Sequence, residues 1–475
     1  MTARRQHRGR VVIAGAGQVS QCLWWVLDRD LDMDWGKLLV VDQRPVHLPG
    51  WLTGRGARFQ QTEFTRELAG KQIGGLAGPG DLFIDLTTCG TPDMAFAAYE
   101  AGAMYVSASA TEEWDGDEAP TLHDAYLRLR ARFASCGTSG PPVAVDCGMN
   151  PGGISWLFRA GLADWATYLL SRSLLPAGRA AQMQRFLDAE AWPRVARTGG
   201  AKVFQCTEWD DQVADPPRED GEAVSPWSVT AMHAEAKALA EIALGSHDTH
   251  LPPGARRHGD TPWGVALDRP AGELLVHGWT PTGGGQVGIP IAHGEGDTLP
   301  PAFYLPAGDG EPEWWPGYSY CYRVCPATAA SVAESRAGGW RLQDRQRGLD
   351  ASQIRSGRDE VCAAIWGGPT GWCYGTSLPI GTCRALAPGY DAVTPTTLQV
   401  AAFLAATIGE ILDGHVKGGL RTPEDLDWKP LLAAARPYLG EILSVPSGWT
   451  PPGPGIPRPE RADWRTWQWD AFAAQ

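Results

Sequence analysis

A short β-type apolar run, Val11 to Ala14, ends in Gly15-Ala16-Gly17-Gln18-Val19-Ser20 and is followed by a helical pattern through Trp25, Val26 and Leu27. This order predicts a strand, a tight turn and a helix. Gly15 permits the turn, and Gly17 lets the backbone approach an anionic group seated on the helix N-terminus. Ser20 stands where a third glycine is usual. A second apolar run, Leu38 to Val41, ends in Asp42, 25 residues beyond Gly17, where a carboxylate can reach the hydroxyls of an adenosine ribose. Together these features predict a dinucleotide site built from Gly15, Gly17, Gln18, Val19 and Asp42. Asp42 favours NAD, because a carboxylate repels the 2′-phosphate of NADP; Arg44 nearby leaves NADP as the alternative.

Further strands are expected at Leu82 to Leu86, Met104 to Ser107 and Val143 to Asp146, with helices near Asp93 to Glu100 and Thr121 to Phe133 between them. Such alternation predicts an α/β fold whose N-terminal part, residues 1–150, is a doubly wound parallel Rossmann sheet. Past Asn150-Pro151-Gly152-Gly153 the pattern changes to one long helix and then to tryptophan-rich sequence with short β-like pieces. Residues 151–475 are therefore expected to form a larger α+β domain for substrate binding and oligomerisation. A helix expected at about 396–414 could return to the first domain. Asn150 follows a strand at the carboxyl edge of the sheet, where it could cap the next helix or orient a nicotinamide or an amine.

Composition removes several classes. A net charge of −13 repels phosphate backbones and argues against nucleic-acid binding, while suiting a cationic small molecule. The longest nearly apolar stretch, Leu398 to Ile408, is eleven residues, short of the roughly 20 that cross a bilayer. The basic start, Met1 to Arg10, runs straight into the glycine loop, unlike a secretory signal, so a cytoplasmic location is expected. Ten cysteines include no CxxC pair and no neighbouring histidines at zinc-finger spacing, so free thiols and no metal are expected. Tryptophan occurs 22 times, and its rings supply apolar walls whose faces attract cations.

Several later segments join the glycine loop and Val40-Val41-Asp42-Gln43-Arg44 in a common pattern: NPGGISW at 150–156, CTEWDDQ at 206–212, SPWSVTAMHAEA at 225–236, GWTPTGGGQVGIPIAHGE at 278–295 and DLDWKPLLAAARPYLG at 425–440. In this order they resemble bacterial homospermidine synthases, within the saccharopine dehydrogenase-like group, over nearly the whole chain. The resemblance implies an NAD-dependent, redox-neutral reaction in the cytoplasm on a putrescine-like amine. The amine is oxidised to an imine, a second amine captures it with loss of ammonia, and re-reduction leaves a secondary amine. It also implies a homodimer. Carried over by position, Trp227 faces the cationic reaction centre, Glu235 and Glu208 are carboxylates of the pocket, and His293 with Glu295 forms a polar pair. Glu112 lies near the rim, and Asp359 comes from the late part of the second domain.

These residue types suit that chemistry. An iminium carbon is a cation, and a desolvated indole face stabilises it by about 2 kcal/mol, close to thirtyfold in rate. Carboxylates hold ammonium groups, and one must accept a proton before a neutral amine can release hydride or attack. His293 can shuttle protons near neutral pH. Taken without the resemblance, Trp227 is one packing tryptophan among 22 and each glutamate a solvated acid. One departure stands out: an aspartate usual in the family just after the strand at Leu82 to Leu86 is replaced by Thr87-Thr88-Cys89-Gly90, with no acid before Asp93. The amine partner therefore stays open. The alternatives are a saccharopine-type dehydrogenase consuming NAD(P)H, or a nucleotide-binding sensor without turnover.

Overall fold

The computed structural model describes residues 4–111, 121–259, 261–308, 310–453 and 463–474. The chain divides into two compact units, Met1–Gly153 with Cys383–Leu439, and Ile154–Thr382 with Gly440–Gln475.

The first unit is built on a seven-stranded sheet in which every pairing is parallel. From edge to edge run Arg58–Gln61, Leu38–Asp42, Val11–Ala14, Leu82–Asp85, Met104–Ser107, Pro142–Ala144 and Gly419–Arg421. The first six have the strand order of a Rossmann sheet, and the direction of winding reverses between Val11–Ala14 and Leu82–Asp85. Val11, Val12, Ile13 and Ala14 are all fully buried, as expected of a strand covered on both faces. Arg58–Gln61 is a polar, largely exposed edge strand, which is why its sequence carries no apolar signal.

Helix Pro395–Leu412 belongs to this unit. Thr394 caps it through a reciprocal hydrogen bond with Thr397, and every residue from Pro395 to Ile411 except Val400 is buried. It packs against helices Gln18–Asp30 and Trp428–Ala435. By length and hydropathy it could cross a membrane, but 83% of that window is buried inside the fold, so it is a core helix. A Cβ on Gly153 would lie 2.4 Å from the Phe403 ring, so only glycine permits that approach.

The second unit is organised by an eight-stranded mixed sheet in the order Arg256–Arg257, Gly264–Pro270, Leu239–Ala243, Gly317–Arg323, Ala201–Asp210, Arg358–Gly367, Gly371–Pro379, Glu441–Ser447. Only the pairing of Gly317–Arg323 with Ala201–Asp210 is parallel. Side chains of a strand alternate between faces and registered partners share a face. One face of the central strand therefore carries Val203, Gln205, Thr207 and Trp209. This face meets the hairpin Val276–Thr280/Gly284–Gly288: Gln205 donates to the His277 carbonyl at 2.9 Å, and Gly278 lies against Thr207 and Cys321. The other face carries Phe204, Cys206, Glu208 and Asp210. Phe204 stacks on Phe158 at 4.9 Å and meets Phe303 edge-on at 5.0 Å. Beyond this hairpin, Ile289 bridges to Tyr322. All ten cysteines are free.

Phe204 closes the apolar end of the face that bears the acids. Phe204→Ala is expected to lower stability by about 3–5 kcal/mol, read as a shift in denaturant midpoint, because a fully buried ring is replaced by a cavity.

Candidate active site

At the reversal of the first sheet, Gly15 has φ +90°, its N–H donates to the Val41 carbonyl at 2.8 Å, and a Cβ there would lie 2.5 Å from the Leu86 oxygen. The tight turn therefore requires glycine. Gly17 differs: it is exposed, and a Cβ on it would meet no protein atom within 4 Å. The space over Gly17 is thus open for another molecule. Gly17 ends the loop and helix Gln18–Asp30 begins with no side-chain cap and no acid in its first turn, leaving N–H groups directed at that space. The buried Ser20 hydroxyl donates to the Gly15 carbonyl, so the serine in place of a third glycine ties the loop to its own helix.

Asp42 accepts the Ala16 N–H and the Arg44 N–H, both at 2.9 Å. Its carboxylate lies beside the loop, with lone pairs left for hydroxyl donors. Arg44 is exposed, its guanidinium 3.8 Å from Asp42. These features fit a dinucleotide: a concave loop without a side chain, a helix terminus for the diphosphate and a carboxylate for the ribose.

The acid at the end of strand Leu82–Asp85 is Asp85 itself. It accepts the Thr87 N–H at 3.0 Å, the Thr87 hydroxyl at 2.7 Å and the Tyr105 hydroxyl at 2.7 Å. Burial pushes its carboxyl above the usual range, against the pull of these donors. Asp85 thus holds Thr87 in the segment that follows the strand. Asn150 is half-buried and stands three residues before helix Gly153–Ser171, outside its cap position.

In the second unit the acids gather on the Phe204 face. Parallel register sets Tyr318, Tyr320 and Tyr322 opposite Phe204, Cys206 and Glu208, while antiparallel register sets Asp359 opposite Asp210 and Val361 opposite Glu208. The face therefore grades from aromatic at Phe204 to acidic at Asp210. The Tyr320 hydroxyl donates to Glu208, and the Tyr318 hydroxyl donates to Glu295 at 3.2 Å. The His293 ring lies against the Tyr320 ring at 4.4 Å, with Nδ1 3.7 Å from the Glu295 carboxylate, a charge contact longer than a hydrogen bond. Burial opposes protonation of His293, but the carboxylates of Glu295, Glu235 and Glu208 outweigh it and raise its pKa above the ordinary imidazole value.

Trp227 is half-buried in the turn before helix Val229–Lys237, whose cap, Ser228, accepts the Ala231 N–H at 3.2 Å. Among the described residues its indole packs on no other ring. Glu235 is half-buried on the same helix. Glu112 lies outside the described residues.

Glu208, Glu235, His293 and Glu295 are thus electrostatically joined, and Asp359 shares a sheet face with Glu208. The sequence reading did not single out Asp210 or the three tyrosines. Their signal was the two-residue period in Tyr318-Ser319-Tyr320-Cys321-Tyr322 and Glu208-Trp209-Asp210, which aligns these side chains only if both segments are strands. A buried surface of acids and phenols can hold a cationic amine and exchange protons with it.

Residues 11–139 match the Saccharopine dehydrogenase NADP binding domain model. A homospermidine synthase from Blastochloris viridis is 30% identical over 456 residues, covering 93% of this chain and 92% of that protein. A homospermidine synthase from Mesorhizobium japonicum is 25% identical over 456 residues, covering 93% and 91%. The crystal structure of the Legionella pneumophila homospermidine synthase in complex with NAD superposes over 100% of both chains with a TM-score of 0.85 at 26% identity. With this similarity along both units, the chain is an enzyme of the homospermidine synthase family.

Proposed function

We propose that this enzyme joins two putrescine-like amines into a secondary amine with loss of ammonia, using NAD without net consumption. The observation that carries this reading is the buried acid face, where His293 lies within the field of three carboxylates, in a chain related to homospermidine synthases over nearly its full length. When bound, NAD accepts hydride from the amine-bearing carbon and later returns it.

Gly15, Gly17, Gln18 and Val19 would seat the diphosphate on the helix terminus, Asp42 would accept the ribose hydroxyls, and Asn150 would orient the nicotinamide end. Glu208 and Glu235 would hold the substrate ammonium groups, and one of them would take the proton that frees a lone pair on nitrogen. Tyr320, bonded to Glu208, keeps that carboxylate oriented. His293, backed by Glu295, would pass the proton onward. The half-buried indole of Trp227, free of ring partners among the described residues, would face the iminium carbon. Asp359, on the same sheet face as Glu208, would bind the far end of the amine. We also propose a homodimer.

Incubation with putrescine and a catalytic amount of NAD tests the reading. Homospermidine and ammonia should form by mass spectrometry without NADH accumulating, whereas stoichiometric NADH consumption with an added carbonyl compound would replace it with a dehydrogenase. Gly17→Val should weaken NAD binding at least tenfold by calorimetry while leaving the melting temperature of the apo protein unchanged, because the new side chain occupies only open space. Trp227→Phe should lower kcat about tenfold with little change in NAD affinity, measured in the steady state.

A further inference from the structure

Asp210 and Asp359 are directly opposed on neighbouring antiparallel strands, both nearly inaccessible at 2% and 1% exposure, and share their face with Glu208. Like charges so placed repel, and in a buried setting they cannot all remain ionised without a cation. Asp210 receives both Gln212 donors, the backbone N–H at 2.9 Å and the side-chain Nε2 at 3.1 Å, on a single oxygen, Oδ1. Its other oxygen, Oδ2, is buried without a partner, as is the hydroxyl of Tyr322, which lies opposite Glu208 and within the field of Glu208, Asp210 and Asp359. Two orphaned polar atoms at the acid end of one sheet face require a reason.

We propose that Asp210 carries a proton in the amine-free enzyme and releases it to solvent when a substrate ammonium group enters beside Asp359. The balance is simple: one R–NH3+ enters, the Oδ2–H bond of Asp210 breaks, and one H+ leaves, so the buried charge does not change. The exchange avoids both an unpaired buried anion before binding and an excess cation afterwards. Burial is the main cause that pushes the Asp210 carboxyl up to about 7, and the charges of Glu208 and Asp211 add to it, against the pull of Gln212. Asp359 faces it from one neighbouring strand, Tyr322 belongs to the other, and Cys325 is within its field. His293 also responds to Glu208, and its pKa is raised by the neighbouring carboxylates, so the test must separate the two. The inference deepens the amine-coupling reading and rests on it for the identity of the cation.

The test is isothermal calorimetry of putrescine binding to the NADH-loaded enzyme, which cannot accept hydride and so does not turn over, in buffers of different ionisation enthalpy, for the wild type and Asp210→Asn. The wild type should release protons on binding, and its apparent affinity should weaken about tenfold per pH unit below about 7 and level off above it. Asp210→Asn should lose that release while still binding amine; a release that persists unchanged in the variant assigns it to His293 and overturns the proposal. Stability against pH, measured without amine, supplies a readout independent of substrate. A raised carboxyl contributes stability that is full below about 4 and is lost as pH rises towards about 7. Asp210→Asn, or Asp210→Ser if the first variant does not fold, should remove that decline. An unchanged decline refutes the proton on Asp210. A decline removed by the variant, with no putrescine binding in the wild type, leaves the buried proton standing and overturns both its release by substrate and the amine reading.

Discussion

The register between strands Ala201–Asp210, Gly317–Arg323 and Arg358–Gly367 is the constraint on which the site depends. Because side chains alternate, shifting any one strand by a single residue would send its acids or tyrosines to the hairpin side. The register is held by apolar partners at the other end: Phe204 packs on Phe158 and Phe303, with Ile365 and Tyr318 beside it. The aromatic end thus stabilises an arrangement whose acidic end is electrostatically unfavourable without a cation. Apolar packing and acidic groups thus divide along the length of one sheet face.

The nucleotide loop obeys a different logic. Gly15 is required by the protein's own backbone, whereas Gly17 faces open space and no contact within the chain requires it to be glycine. Ser20 shows that the third loop position need not be glycine when its small hydroxyl can close on the Gly15 carbonyl. Asp42 braces the loop by accepting the Ala16 N–H while also accepting the Arg44 N–H on its other oxygen.

The segment Thr87-Thr88-Cys89, which carries no acid, is tied to the end of the strand before it. Asp85, two residues earlier, pins Thr87 and takes a third hydrogen bond from Tyr105, so a buried carboxyl at this strand end is spent on shaping the loop. The Thr87 hydroxyl in turn accepts the Cys89 N–H at 3.2 Å, so the segment is ordered by its own hydrogen bonds.

Much of the first unit could be read from sequence, because its strands are continuous apolar runs and its glycine loop has a fixed spacing to Asp42. The exposed edge strand Arg58–Gln61 and the three-residue strand Gly419–Arg421 carried no such pattern; the second exists only because a distant segment pairs with Pro142–Ala144. In the second unit the ten-residue strand Ala201–Asp210 was obscured by its own polar residues, Lys202, Gln205, Thr207, Glu208 and Asp210. Periodicity identifies strands whose solvent face is polar, and this strand is buried on both faces, with Gln205 bonded to the hairpin, Glu208 to Tyr320 and one oxygen of Asp210 left without a donor. By itself the sequence determined the chemistry available: a glycine loop, a set of acids, an indole and a histidine. Tertiary structure alone decided which acids oppose one another and which oxygen atoms are left without a donor, because those depend on register and burial between segments more than 100 residues apart.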